Sequence, residues 1–193
     1  MKSSHPILLA SASPRRRELL AQLVENFEVA ATDIDEALVE GESPGDYVSR
    51  LSRAKALAGY SQSGGRLPVL GSDTIVLLDD EILCKPESRM EAESMLGRLS
   101  GRTHEVYSGV ALVLDSETIL EEINITSVTF AEMPSAWITM YCRTDEPMDK
   151  AGAYAVQGGT GQFISRIEGS YSGVMGLPLF ETSQLLRCAG LLE

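Results

Sequence analysis

Three consecutive arginines, Arg15-Arg16-Arg17, stand directly behind the small-residue segment Ser11-Ala12-Ser13-Pro14, and the chemistry they suggest is capture of phosphate. Ser13-Pro14 reads as a helix N-cap followed by proline at the first helical position. The first turn of a helix already carries partial positive charge and normally attracts acidic side chains, so guanidinium forks there reinforce the field. Free N–H groups, planar forks and small neighbours together form an anion site; the plain alternative is a solvated basic turn. A second candidate is Asp73 in Gly71-Ser72-Asp73-Thr74. It puts a carboxylate inside an otherwise apolar strand, where an unpaired charge is costly unless a metal or a cation accompanies it. Asp73 could take a proton from an attacking water or ligate a divalent ion; an ordinary strand-end aspartate is the other reading.

Weaker candidates surround these two. Glu36, in the acidic run Asp33-Ile34-Asp35-Glu36, could supply another metal-binding oxygen. Lys55, and Lys85 in Cys84-Lys85-Pro86, could neutralise phosphate oxygens as charge develops, although a lone helix lysine is usually solvated. Asp149 to Tyr154, followed by Gln157-Gly158-Gly159, sets an amide in flexible backbone. An amide can both donate to and accept from a base edge, but a glycine-rich surface turn would look the same. His5 and His104 have no serine or cysteine motif beside them and are given structural roles. Neither GxxxxGK[ST] nor GxGxxG occurs, which excludes the common phosphate loops.

To position these groups the pattern calls for a strand at 5–11 feeding the turn, then a helix with Leu19, Leu20 and Leu23 as its apolar stripe. A second strand at 27–31 ends in the acidic run. The next helix starts at Ser43-Pro44, with Asp46 as an acidic capping-box partner and Val48, Leu51 and Leu57 on its buried side. Gly64-Gly65 breaks it before an apolar strand at 67–78, and Asp79-Asp80 turns into a short strand at 82–83. Ala92, Met95, Leu96 and Leu99 keep helical spacing up to Gly101. From Thr103 the texture is β-rich: 106–114 and 118–130, joined by Asp115-Ser116-Glu117, form a long antiparallel pair. A short helix at 134–142, a strand at 163–167 and a helix at 179–186 complete the chain, with Gly173 to Leu179 read as a tight structural turn. The expectation is one α/β domain over residues 1–193, a mixed, elongated sheet flanked by helices in two lobes around a cleft.

Bulk properties bound the function. With 193 residues and 44% hydrophobic composition a real core can form. No apolar run approaches the roughly 18 residues of a membrane span, so a cytoplasmic protein without a membrane partner is expected. Net charge is −12, the opposite of a general polyanion binder, which argues against double-stranded nucleic acid; aromatics at 6% argue against a single-strand binder. A small polyanion can still bind where the few cations are concentrated. Cys84, Cys142 and Cys188 suggest neither a disulfide framework nor a metal knuckle, and are expected as reduced, partly buried thiols.

The order of these segments resembles the Maf family of nucleoside-triphosphate pyrophosphatases. Its carriers are L-A-S-A-S-P-R-R-R-E-L-L at 9–20, D-I-D-E at 33–36, L-S-R-A-K-A at 51–56, G-S-D-T at 71–74, C-K-P at 84–86, D-K-A-G-A-Y-A-V-Q-G at 149–158 and G-S-Y-S-G-V-M-G-L-P-L at 169–179. The resemblance implies a fold like that of inosine triphosphate pyrophosphatases, and hydrolysis of a nucleoside triphosphate to monophosphate and pyrophosphate with a divalent metal, Mg²⁺, Mn²⁺ or Co²⁺. It implies Asp73 as proton acceptor, Arg16, Lys55 and Lys85 as phosphate ligands, Ser11 in the phosphate loop and Glu36, with Asp73, at the metal. Arg15, Thr74 and Gln157 are similar to the branch acting on dTTP and UTP; the branch acting on 7-methyl-GTP departs there. Departures at Ser13, Arg17 and Ser172-Gly173 touch local loop shape. The family is also linked to restraint of cell division and septum formation, which leaves a non-catalytic nucleotide-sensing regulator as the alternative function. A homodimer stays open.

Overall fold

The computed structural model describes residues 2, 3 and 5–193. Among these, seven strands form one mixed sheet in the order β2-β1-β3-β5-β6-β7, with β4 paired to β3. The strands are β1 (Ile7–Leu9), β2 (Phe27–Val29), β3 (Val69–Leu78), β4 (Glu81–Leu83), β5 (Thr103–Val113), β6 (Ile119–Phe130) and β7 (Ile164–Glu168). The helices are α1 (Pro14–Leu20), α2 (Pro44–Gln62), α3 (Arg89–Leu99), α4 (Ser135–Tyr141), α5 (Tyr171–Met175) and α6 (Leu179–Cys188). β1 runs parallel to both β2 and β3, whereas β3–β4 and β6–β7 are antiparallel. This is the expected mixed α/β architecture.

The chain divides into two compact units. The first comprises residues 1–73, 108–124 and 176–193, and the second residues 74–107 and 125–175. In the first, Leu8, Ala10, Ala56, Val69, Ala111 and Val113 pack together. In the second, all four apolar positions read from the α3 periodicity, Ala92, Met95, Leu96 and Leu99, join Val76, Leu83, Val106, Val128 and Phe130 in a larger core.

Local signals account for most boundaries. Ser13 and Ser43 cap α1 and α2 through their hydroxyls, each followed by proline, because the side-chain oxygen satisfies an orphan N–H while proline gives up none. Asp79 and Asp80 both adopt positive φ, 53° and 64°, the backbone a two-residue hairpin needs to match strand twist. Asp115 Oδ1 accepts from the amides of Glu117 and Thr118, both at 2.9 Å, and so closes the β5–β6 turn.

Three expectations need correction. Leu57 is 38% exposed: it lies nine residues beyond Val48, two and a half turns along at about 3.6 residues per turn, and so points away from the stripe. That stripe continues instead through Ser52, Lys55, Ala56 and Gly59. Cys142 is buried but Cys84 and Cys188 are exposed, since Cys84 lies just past the end of β4 and Cys188 ends α6 outside its buried face. Finally, the glycine-rich 169–179 segment contains α5, whose five residues are too few for periodicity to reveal.

Candidate functional site

The polar break in β3 is not a break in the strand. Val69–Leu78 is continuous, and Asp73 is only 7% exposed within it. Its partner comes from α2. Lys55 Nζ lies 2.6 Å from Asp73 Oδ1 and 2.7 Å from Glu36 Oε1, so the ammonium of a residue only 8% exposed holds both carboxylates. The structure therefore brings together Lys55, Asp73 and Glu36, three of the sequence candidates from three separate segments.

Close packing delivers Lys55 there. A Cβ placed on Gly71 would sit 2.3 Å from the Ser52 carbonyl and 2.6 Å from the Ala56 amide, and one on Gly109 would sit 2.6 Å from the Val48 carbonyl. α2 thus rests on β3 and β5 backbone to backbone, an approach that only glycine permits. Lys55 lies one residue before Ala56, so its stem is fixed at the depth of the strand and its ammonium reaches the carboxylate two residues past Gly71.

Arg16 is oriented from the other side. Its Nε donates to the Gly176 carbonyl at 2.8 Å and its Nη1 to Ser11 Oγ at 3.4 Å. Ser72 Oγ lies 2.9 Å from the same Gly176 carbonyl and 2.8 Å from the Gly109 carbonyl, its single hydroxyl proton being shared between them. Ser11 is buried and its hydroxyl also accepts from the Ser13 amide at 3.2 Å, which shapes the turn ahead of α1. Burial lowers the pKa of the Arg16 guanidinium; the Asp73 carboxylate opposes that, neighbouring Arg15 adds to it, and Glu36 opposes it. Arg15 is half-buried on the same helix. Arg17 faces away, exposed, and lines an open groove of about 860 Å³ with Ala12, Ser13 and Phe27, which separates it from the other two arginines.

The Glu36 segment is irregular, and α2 anchors it. Tyr47 donates its hydroxyl to the Glu36 carbonyl at 2.7 Å. Arg50 donates to the Ala37 carbonyl at 3.0 Å and grips Glu42 with two nitrogens at 2.6 and 2.7 Å. Tyr47, Arg50, Ser72 and Gly176 are thus supporting residues that sequence reasoning missed. A signal existed for Tyr47, which stands two i, i+4 steps before Lys55 on one helix face. Gly176 lay in a quoted motif, but its contribution is a backbone carbonyl and no side-chain pattern encodes that.

The remaining candidates belong to the second unit. Thr74 directly follows Asp73 on β3 and is half-buried. Lys85 is exposed just after β4. The adjoining Cys84 carbonyl accepts from the Gly152 amide at 3.3 Å, which ties the Lys85 turn to the segment leading to Gln157. Gln157 itself is exposed. His104 is buried, with Nε2 2.8 Å from Tyr154 Oη and its ring stacked on Phe130, in keeping with a structural role.

No group of three or more His, Cys, Asp or Glu side chains able to hold a metal occurs among the described residues. Two hard carboxylates, Glu36 and Asp73, do contact the same Lys55 ammonium. Such a pair suits Mg²⁺ or Mn²⁺, which commonly take one or two carboxylates and complete their shell with water and substrate phosphate oxygens. No helix among the described residues is long and apolar enough to cross a membrane.

The chain is 51% identical over 180 residues to the dTTP/UTP pyrophosphatase of Escherichia coli (strain K12), spanning 93% of this chain and 91% of that protein. It is 49% identical over 185 residues to the dTTP/UTP pyrophosphatase of Alkalilimnicola ehrlichii, with the same coverage of 93% and 91%. Among solved structures, it is similar to a nucleoside-triphosphatase, dITP/XTP pyrophosphatase, from Mycobacterium abscessus at TM-score 0.44 and 18% identity, over 67% of this chain and 76% of that one. Residues 6–189 match the family described as Maf-like protein, and the chain belongs to the Maf family.

Proposed function

We propose that this chain, acting as one catalytic domain over residues 1–193, hydrolyses dTTP and UTP to the monophosphate and pyrophosphate. The observation that carries the reading is the buried Lys55 ammonium shared by Asp73 and Glu36 at 2.6 and 2.7 Å. Such an ammonium can be recruited by an incoming phosphate oxygen, which releases two carboxylates for chemistry at the place where the phosphate arrives. The names of the relatives at 49–51% identity support dTTP and UTP as substrates.

In this reading Ser11, Arg15, Arg16, Lys55 and Lys85 bind the phosphates, and the planar forks of the arginines balance charge on the departing pyrophosphate. Asp73 accepts the proton of a water attacking the α-phosphorus in line. Arg16, oriented by Gly176 and Ser11, holds its positive charge in place without reorganising at the moment of reaction, which is where electrostatic catalysis gains most. A divalent cation held by Glu36 and Asp73 supplies Lewis-acid polarisation and charge neutralisation when bound. Arg15, Thr74 and Gln157 select the base.

The test is pyrophosphate release from a panel of nucleoside triphosphates with Mg²⁺, Mn²⁺ or Co²⁺. The expected result is preference for dTTP and UTP, with Asp73→Asn slowing turnover by at least about a hundredfold while leaving the fold intact. Wild-type rates in that variant would overturn the role of Asp73. Tight binding with no release by the wild-type protein would favour the nucleotide-sensing regulator instead.

A further inference from the structure

The loop that carries Gln157 is held by a residue the reaction itself does not require. Ala155, Val156 and Thr160 are buried, and the Thr160 hydroxyl donates to the Ala155 carbonyl at 2.8 Å. The amides of Gly158 and Gly161 donate to the carbonyls of Ala155 and Gly158, both at 3.0 Å. The loop is therefore tightly wound, with Gln157 exposed at its outer edge. Glu146, from the short 3-10 turn Glu146–Asp149, reaches across to it. Its Oε1 accepts from the Gly159 amide at 3.1 Å and from the Tyr141 hydroxyl at 2.9 Å.

Tyr141 is a firm anchor for that carboxylate. Its ring is buried and stacks on Trp137 at 4.9 Å, and Trp137 packs edge-on against Phe163, at 4.6 Å, where the loop ends. A second feature points to the same oxygen. Gly158 has φ −96° and ψ −158°, an extended conformation open to any residue, so its backbone does not call for glycine. A Cβ there would lie 1.7 Å from Glu146 Oε1 and 2.7 Å from Glu146 Cδ. A side chain at 158 would therefore have to displace the Glu146 carboxylate from its place beside the Gly159 amide.

We propose that Glu146 is a positioning residue for base selection: anchored by Tyr141, it pins the Gly159 amide and so presents the Gln157 amide to the base at one place. This rests on the reading of Gln157 as the base reader. A side-chain amide distinguishes bases only if its donor and acceptor stand where the base edge arrives, and a loop free to drift by an ångström loses that discrimination.

The full-length protein tests this with kcat/KM for dTTP, UTP, CTP and GTP in wild type, Glu146→Gln, Glu146→Ala, Gln157→Ala and the Glu146→Ala/Gln157→Ala pair, alongside hydrogen exchange of the 155–161 amides. Glu146→Ala is expected to speed that exchange and to lower the dTTP-to-GTP ratio of kcat/KM by about tenfold, mainly through KM, inside the roughly hundredfold cost of an ångström of misplacement. Glu146→Gln keeps an oxygen that accepts both bonds and should stay within about twofold of wild type. The double variant should be no worse than Gln157→Ala, since both act through one group. Should Glu146→Ala fold poorly, Tyr141→Phe, which removes only the anchor's hydroxyl, should lower the ratio in the same direction. A Glu146→Ala protein with wild-type selectivity, or losses that add in the double variant, would overturn the proposal. The two readings fail differently: Gln157→Ala with unchanged selectivity removes the base reader, and with it the proposal, whereas lost selectivity there but not in Glu146→Ala removes the clamp alone.

Discussion

At the scale of single residues, Lys55 lies between Asp73 and Glu36 because a buried carboxylate on β3 needs a counter-charge. Removing one partner of a buried pair leaves the other uncompensated. Lys55→Met should therefore lower unfolding free energy by about 3 kcal/mol, and Asp73→Asn added to it should restore part of that loss, a non-additivity that urea titration of the four proteins measures. His104 makes a different prediction. Its ring is 2% exposed, its Nδ1 has no hydrogen-bond partner among the described residues, and burial lowers its pKa from 6.5 to about 4. Above pH 6.5 the ring is neutral in both states. As pH falls from 6.5 towards about 4 the unfolded chain takes up a proton that the native state refuses, so stability drops across that window by up to about 3 kcal/mol and this contribution levels off below it. Glutamine can keep the bond to Tyr154, so His104→Gln should flatten the pH dependence of the urea midpoint through the same window.

At the scale of elements, the site depends on how closely α2 lies on the sheet. The Gly71 contact with Ser52 and Ala56 and the Gly109 contact with Val48 set that distance. Gly71→Ala should push the helix outward, at a cost of about 1–3 kcal/mol for overpacking, and carry Lys55 away from Asp73. The expected readout is a kcat lower by about tenfold or more with a smaller fall in thermal midpoint, since a misplaced catalytic group costs more than the strain that moves it. An unchanged kcat would show that the separation of α2 from β3 is not what aligns the pair. The caps of α1 and α2, the α3 stripe and the Asp79-Asp80 turn were all legible in sequence, because each is decided within one or two turns of chain. The inward face of α2 was legible only in part: Val48 and Leu51 announce it, but Lys55 is charged and reads as solvent-facing until Asp73 is placed beside it.

At the scale of the whole molecule, composition and thiol chemistry are the global properties that can be tested directly. None of the three cysteines is in a disulfide; Cys84 and Cys188 are exposed, while burial raises the buried Cys142 thiol to about 11. A thiol reagent should therefore titrate two groups quickly in the native protein and the third only on unfolding, and reductant should leave the thermal midpoint unchanged. Net charge of −12 argues against a general polyanion surface, and the buried Lys55 is set between the carboxylates of Asp73 and Glu36. The sequence by itself determined the family, the mixed α/β architecture and the identity of the charged residues, because motif order, hydrophobic period and capping chemistry are local. The arginine run stood out as a candidate phosphate site because basic side chains in the first turn of a helix reinforce its positive field. Only the tertiary structure decided that Arg16 is aimed by the Gly176 carbonyl, that Arg17 faces an outer groove, and that Glu36, Lys55 and Asp73 meet. Those facts depend on backbone oxygens, glycine-permitted contacts and pairings between residues distant in the chain, and no local pattern carries them.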